Sequence, residues 1–231
     1  GLIENYADLV AIGTIGDVVP LLHENRLLVK EGLKQLSRSD RLGIENILEQ
    51  ANFSGRKLTA LNVAFTIVPR INATGRIGSS SRAVRLLCSE NDQEALSLAE
   101  EICAENEQRK KIENEIYESA WNYLTQNPQE LYHRVLVICG KDWRHGVIGI
   151  VASRLTEKFG KPCIVCSDDG NEIRGSGRSI EGFPLFQAVC ACSQYLTKFG
   201  GHPMAAGLSM PPENLEDFRR AINAYAAENF P

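Results

Sequence analysis

Residues 92–125 constrain this chain more than any other stretch. Apolar residues recur along them at helical spacing, at Ala95, Leu98, Ala99, Ile102, Ile112, Ile116, Ala120 and Leu124, and Asn127-Pro128 closes the run. About 34 residues at roughly 1.5 Å each make a helix near 50 Å long. Its middle, 104–111, is almost wholly polar. A helix that is apolar toward both ends and polar between them is expected to bridge two packed bodies through solvent. The chain is therefore expected to divide into residues 1–91, a connector over 92–126, and a second body over 127–231.

Before the connector the pattern is helical. Leu9–Val19 is almost entirely apolar, short and stopped by Pro20; periodicity alone does not separate helix from buried strand there, and a helix is expected. Asp17 sits inside that run, so it is expected to be buried, and a buried carboxylate has to be paired, neutralised or bound to a metal. A structural, hydrogen-bonded role and a functional one both remain open for it. Helices are predicted over 25–36 and 42–51, with His23 and Glu24 as turn residues. The apolar stretch 58–69 is expected to end at Pro69.

Directly after it, Arg70-Ile71-Asn72-Ala73-Thr74-Gly75-Arg76 leads to Arg82 and Arg85, giving four arginines and no acid from 70 to 85. The whole chain carries a net charge of -4 over 231 residues, so no global basic field draws it to nucleic acid, and any such role needs a local patch like this one. Arginine suits phosphate because its planar fork donates paired hydrogen bonds and stays charged. A solvated basic loop is the plainer alternative.

After the connector, strands and helices alternate, as in a small α/β domain. Strands are predicted over 134–139, 162–167 and 172–177, helices over 147–159 and 185–192, and a final helix after Asn214, read as its cap. Two short motifs stand out. Gly175-Ser176-Gly177-Arg178-Ser179 frames a hydroxyl and a guanidinium with glycines, a set that fits a phosphate oxygen. Gly200-Gly201-His202-Pro203-Met204-Ala205-Ala206-Gly207 leaves the backbone nearly bare beside one imidazole, which suits an anion bound partly by main-chain N–H groups. A glycine turn with a core histidine accounts for the octet equally well. Trp143-Arg144-His145-Gly146 precedes a predicted helix, whose N-terminus would attract an anion or serve simply as a helix start.

The seven cysteines are scattered through apolar segments, as expected of reduced thiols in a cytoplasmic protein. Cys163 and Cys166 have the spacing of a zinc pair. They lie in an apolar strand with no second pair nearby, which disfavours zinc. No apolar run reaches the length of a membrane span, no signal peptide is read at the start, and Gly1 in place of methionine is what an excised piece would show.

Taken together the motifs resemble the RecJ family of single-strand-specific exonucleases in the DHH phosphoesterase superfamily. The octet at 200–207 is similar to the signature of the family's DHHA1 domain, and 175–179 to its Ser-Gly-Arg motif. Residues 12–21 are similar to the last metal-binding motif of the catalytic DHH domain, and 70–76 to the motif ahead of the connecting helix. Residues 145–154 are also familiar. The resemblance implies an α/β chain comprising the helical C-terminal part of a DHH domain, a long connecting helix and a small α/β DHHA1 domain. It implies hydrolysis of single-stranded DNA from a 5′ end, in repair and recombination, with two divalent cations, Mn2+ or Mg2+.

By that match Asp17 is a metal ligand. Arg70, Asn72, Arg76, Ser176, Arg178, Gly201 and His202 contact the strand or its 5′-phosphate, and His202 takes a catalytic position facing the scissile phosphate. A single-strand-binding protein or a helicase is the implied partner, and no membrane is involved. The family's Asp-His-His motif is missing, so most metal ligands are expected upstream of Gly1 and the isolated piece is expected to be inactive. No nucleic-acid-binding β-barrel is evident either. The chain also departs from the family in carrying Arg144 directly after Trp143, with His145 one place later. Two alternatives stand beside this reading: a relative acting on short oligonucleotides or cyclic dinucleotides, and a non-catalytic nucleic-acid-binding module.

Overall fold

A computed structural model of the chain describes residues 1–38 and 41–230. They form two compact units, 1–109 and 110–231, and the division falls inside one continuous helix. The first unit is helical: α1 Leu2–Gly16, α2 His23–Leu36, α3 Leu42–Gln50, α4 Ala60–Ile77, α5 Ser81–Cys88 and the start of α6 Asp92–Gln126. Its core is made by residues that recur at helical spacing, among them Ala11, Ile15, Val29, Leu36, Ile44, Ile47, Ile67 and Leu86, joined by Ala95, Leu98, Ala99 and Ile102 of α6. Fully burying a side chain of this kind contributes about 1.5–3 kcal/mol.

Four local expectations change. The apolar run resolves as helix, but Asp17 lies just beyond the end of α1 and is exposed, not buried. His23 and Glu24 open α2 and are not turn residues. Pro69 does not end its segment. Helix α4 starts at a capping box, in which Thr59 Oγ1 accepts from the Asn62 N–H at 3.2 Å and Asn62 Oδ1 accepts from the Thr59 N–H at 3.0 Å, and then runs through Pro69 to Ile77. An interior proline costs about 3 kcal/mol. Ile67 and Val68 are buried before it and Ala73 and Thr74 after it, and that burial offsets the cost. Arg70, Asn72 and Arg76 therefore stand on a helix and not in a loop. Nor is the polar middle of α6 wholly solvated, since Asn106 is buried and accepts from Arg109 Nη2 at 3.1 Å.

The second unit comprises the rest of α6, β1 Leu136–Lys141, α7 His145–Phe159, β2 Cys163–Asp168, β3 Ile173–Arg178, α8 Leu185–Ala191, β4 Lys198–His202, β5 Ala205–Met210 and α9 Leu215–Asn229. The five strands make one sheet in the order β1-β2-β3-β5-β4, with β1 and β2 parallel and the other pairs antiparallel. One face packs on α8 and α9 through Val137, Ile164, Cys166, Leu185, Leu208, Met210, Phe218 and Ile222.

The opposite face of β2 and β3 is covered by α7. That helix is in turn fastened to the end of α6. Trp121 stacks on Phe159 at 5.8 Å, and the Arg154 guanidinium lies over the Tyr117 ring at 4.0 Å while pairing with Glu113 at 2.9 Å. Asn214 holds the N-cap position of α9 without capping it; its side-chain amide donates to the Tyr195 carbonyl at 2.9 Å.

Candidate nucleic-acid interface

In a strand, alternate side chains point to the same face. The register of β3, β5 and β4 therefore builds three rows on the α7 face: Arg174–Ser209–Lys198, Ser176–Gly207–Gly200, and Arg178–Ala205–His202. Helix α7 covers the β2–β3 side of this face. Beyond it the floor is bare, for a Cβ placed on Gly200 or on Gly207 would meet no atom within 4 Å. The three strands read IRGSGR, KFGGH and AAGLSM and contain no carboxylate. In a chain of net charge -4 this is a local cationic surface.

Arg178 is the distinctive side chain. It is half-buried, and its Nη1 donates only to neutral oxygens, the Ser176 hydroxyl at 3.2 Å and the Gly177 carbonyl at 2.8 Å. Burial holds its guanidinium below the usual pKa, and no acid among the described residues opposes that shift. A desolvated cation without a counter-ion is costly unless an anion completes it. Gly149, in the second turn of α7, makes room for this pair. A Cβ there would stand 2.9 Å from Ser176 Oγ and 3.1 Å from Arg178 Nη2. The first turn of α7, whose N–H groups favour anions, begins four residues earlier at His145. Its side chain is exposed, while the Trp143 ring packs on Gly140.

The hairpin that carries His202 is held in place from both sides. The Ser179 N–H donates to the Met204 carbonyl and the Leu185 N–H to the Pro203 carbonyl, each at 2.9 Å. His202 Nδ1 accepts from the Met204 N–H at 3.4 Å, which leaves the neutral ring's proton on Nε2. The ring is exposed, so His202 is not a core histidine. Gly201 lies in the left-handed half of the backbone map, and a Cβ there would collide with the Ala205 carbonyl, so only glycine fits. Gly175 and Gly177 have a different reason: they face the α8 side, where a Cβ would press on Cys166 and Leu208 or on Leu185. Residues 175–178 lie in β3 and are not a turn, whereas the octet spans the end of β4, a turn at Pro203-Met204 and the start of β5.

In the first unit, Asp17, Asn72 and Arg76 line one cavity with Ile12, Gly13, Gly16, Val68 and Ile71. Asp17 caps the C-terminus of α1, where the helix dipole disfavours a negative charge by about 0.3–1 kcal/mol. The next residue, Val18, is 86% exposed and has a φ of 55°, a strained conformation for a β-branched residue. Arg70 turns away from this cavity, its Nε donating to Cys103 Sγ at 3.3 Å and its Nη1 to the Thr66 carbonyl at 2.6 Å.

The expected basic patch is largely consumed in ion pairs, Arg82 with Glu101 and Glu105 and Arg85 with Glu94. Sequence reasoning saw no acid between 70 and 85 because the acids come from α6. Among the described residues no group of three His, Cys, Asp or Glu could hold a metal ion, and the single carboxylate of Asp17 does not make such a site. Burial pushes the Cys163 thiol up to about 12 and Cys139 to about 11, and it raises Cys166 as well, so none of them is a ready thiolate ligand.

Residues 130–228 match the model of the DHHA1 domain. Over 95% of its length the chain is 41% identical to the single-stranded-DNA-specific exonuclease RecJ of Bacillus subtilis, and over 96% it is 37% identical to that of Escherichia coli. The chain is a relative of the RecJ exonucleases. Its fold agrees: the structure of Thermus thermophilus RecJ in complex with Mn2+ superposes with a TM-score of 0.87 at 35% identity, covering 98% of this chain and 33% of that one. A second Thermus thermophilus RecJ structure, in complex with Mg2+, gives 0.86 at 34% identity. The chain spans 28% of the Bacillus subtilis RecJ and 40% of the Escherichia coli one. The three-row face lies within the DHHA1 segment.

Proposed function

We propose that this chain is the strand-holding part of an exonuclease that degrades single-stranded DNA in the 5′-to-3′ direction by metal-dependent phosphodiester hydrolysis, in the repair and recombination of DNA. The observation that carries this reading is Arg178, half-buried over an uncovered glycine floor with only neutral oxygens for partners. An incoming phosphate supplies the missing charge, and Ser176 Oγ can donate to the same oxygens. Bare backbone at Gly200, Gly201 and Gly207 lets the strand lie close to the sheet. His202, with its proton on Nε2, is placed to donate to a phosphate oxygen in the same row as Arg178, the position from which a catalytic contact is made.

Residues 1–91, 92–126 and 127–231 are proposed as the catalytic-domain portion, the connector and the strand-binding domain. Within the first, Asn72 and Arg76 contribute polar groups beside Asp17, and Arg70 supports the helix that bears them. Asp17 is proposed as one ligand of a divalent cation, manganese or magnesium, whose other ligands are not among the described residues. Such an ion would activate water and offset the charge developing on phosphate. A helicase or a single-strand-binding protein is the proposed source of the strand, and the cytoplasm the proposed compartment. Among the described residues no helix is long and apolar enough to cross a membrane.

The test is a titration of the chain with a 5′-phosphorylated single-stranded twenty-mer, the same sequence as a duplex, and a dinucleotide. Preference for the single-stranded twenty-mer, weakening as salt rises, is the expected result. Equal affinity for dinucleotide and twenty-mer would contradict a polymer-binding role.

A further inference from the structure

We infer that Lys198, Ser209 and Arg174 form a second anion subsite, which takes a neighbouring phosphate of the strand gripped by Ser176 and Arg178. The inference rests on the strand-binding role proposed above and extends it to residues outside both glycine motifs.

The geometry is that of the sheet itself. Lys198 pairs in register with Ser209, and Ser209 with Arg174, so the three side chains stand in line on the face that carries Ser176 and Arg178. Residues two apart in a strand are separated by about 6.6 Å, so this row lies one such step from the Ser176–Gly207–Gly200 row and two from Arg178. Neighbouring strands are roughly 4.8 Å apart, which places the Lys198 and Arg174 backbones about 10 Å from one another with Ser209 between them. Two long cationic side chains over a hydroxyl can close on a single phosphate from either side.

The opposite face of the same strands shows that this pattern is not generic. There the positions are Ile173 and Met210, then Gly175, Leu208 and Phe199; Ile173, Leu208 and Met210 pack into the core, and the Phe199 ring lies beside Phe186.

The surrounding charges rank the two cations. Arg174 Nε donates to Glu172 Oε2 at 2.7 Å, and Asp169 adds a further attraction, so part of its charge is already offset. Lys198 is exposed on the edge strand and has no acid partner among the described residues. Its ladder is anchored just before it by the Thr197 N–H, which donates to the Ser209 carbonyl at 2.8 Å. Lys198 is thus the stronger contact of the two.

The experiment measures the affinity of the chain for a 5′-phosphorylated single-stranded twelve-mer and for a dinucleotide across a salt series, in wild type and in Lys198→Ala, Lys198→Arg and Arg178→Ala. Each phosphate neutralised on a single strand contributes about 0.7 to the slope of log affinity against log salt. Lys198→Ala should flatten the twelve-mer slope by about that amount and weaken binding roughly two- to fivefold, as for an exposed ion pair, alike for different sequences. It should leave the dinucleotide unaffected, and Lys198→Arg should retain the wild-type slope. Twelve-mer binding and slope unchanged in Lys198→Ala, while Arg178→Ala still loses affinity, would overturn the second subsite and leave the first standing. No loss in Arg178→Ala would instead remove the strand-binding role on which the inference rests.

Discussion

The arginines of the helical unit and Arg178 of the sheet unit are used in opposite ways. In the helical unit the guanidiniums serve the fold: Arg41 pairs with the buried Asp8 and donates to the Asn5 carbonyl, Arg82 bridges Glu101 and Glu105, Arg85 meets Glu94, and Arg70 is spent on Thr66 and Cys103. In the sheet unit Arg154 and Arg219 do likewise with Glu113 and Glu216. Arg178 does not. Its partners are a hydroxyl and a carbonyl, and burial works against its charge. A cluster of arginines in a sequence therefore says little about anion binding until the acids that the fold brings to it are known. An arginine beside glycines and without an acid partner says more.

This contrast can be broken experimentally. The largest effect is expected at Asp8, which is 6% exposed and joins α1 to the residue before α3. Asp8→Ala should destabilise the first unit by about 3 kcal/mol, because it strands a charge in a largely buried place. Denaturant unfolding would measure this, and single-strand binding by the folded protein should not change. Next comes Arg178→Ala, expected to weaken single-strand binding by roughly ten- to a hundredfold, the range for losing a charged hydrogen bond, with a melting temperature that does not fall.

A smaller loss of binding is expected from Gly149→Ala, whose methyl group would press on Ser176 and Arg178 without entering the main core; titration against the same strand measures it. The smallest effect belongs to Arg85→Ala. Its pair with Glu94 is exposed, so stability should move by less than about 1 kcal/mol and strand affinity should stay put. A clear loss of binding in Arg85→Ala would restore the basic patch as part of the site.

The buried thiols add a pH dependence confined to the sheet unit. Burial raises the pKa values of Cys163, Cys139 and Cys192 from the ordinary thiol value to about 12, about 11 and about 11. In the folded state these groups hold their protons where the unfolded chain has released them. Their contribution is complete below about pH 9 and is lost as pH rises toward 11–12. The unfolding midpoint should fall across that window, and Cys163→Ala should make the fall shallower.

Much of the architecture was legible from spacing alone. The α6 helix followed from its apolar period, and the alternation of elements after it from strand and helix lengths. What stayed hidden depended on tertiary burial or on register. Pro69 inside α4 is tolerated because Ile67, Val68, Ala73 and Thr74 are buried around it, which no local rule reports. Asp17 looked buried because its neighbours are apolar, but the helix ends one residue before it and leaves it in solvent.

At the site, Ser176, Arg178, Gly201 and His202 were visible as motifs. Gly149 lay in the 145–154 motif but without a role, and Lys198 and Arg174 lay outside every motif, since only helix packing and strand pairing bring the three to the same face. The alternation of Lys198, Gly200 and His202 was the one available clue, and it acquires meaning only once 198–202 is known to be a strand.

The most direct test of the account compares wild type with Arg178→Ala for binding a 5′-phosphorylated single strand at low and at moderate salt. The account predicts at least a roughly tenfold loss at low salt and a slope shallower by about 0.7. Equal affinity and equal slope in the two proteins would contradict it.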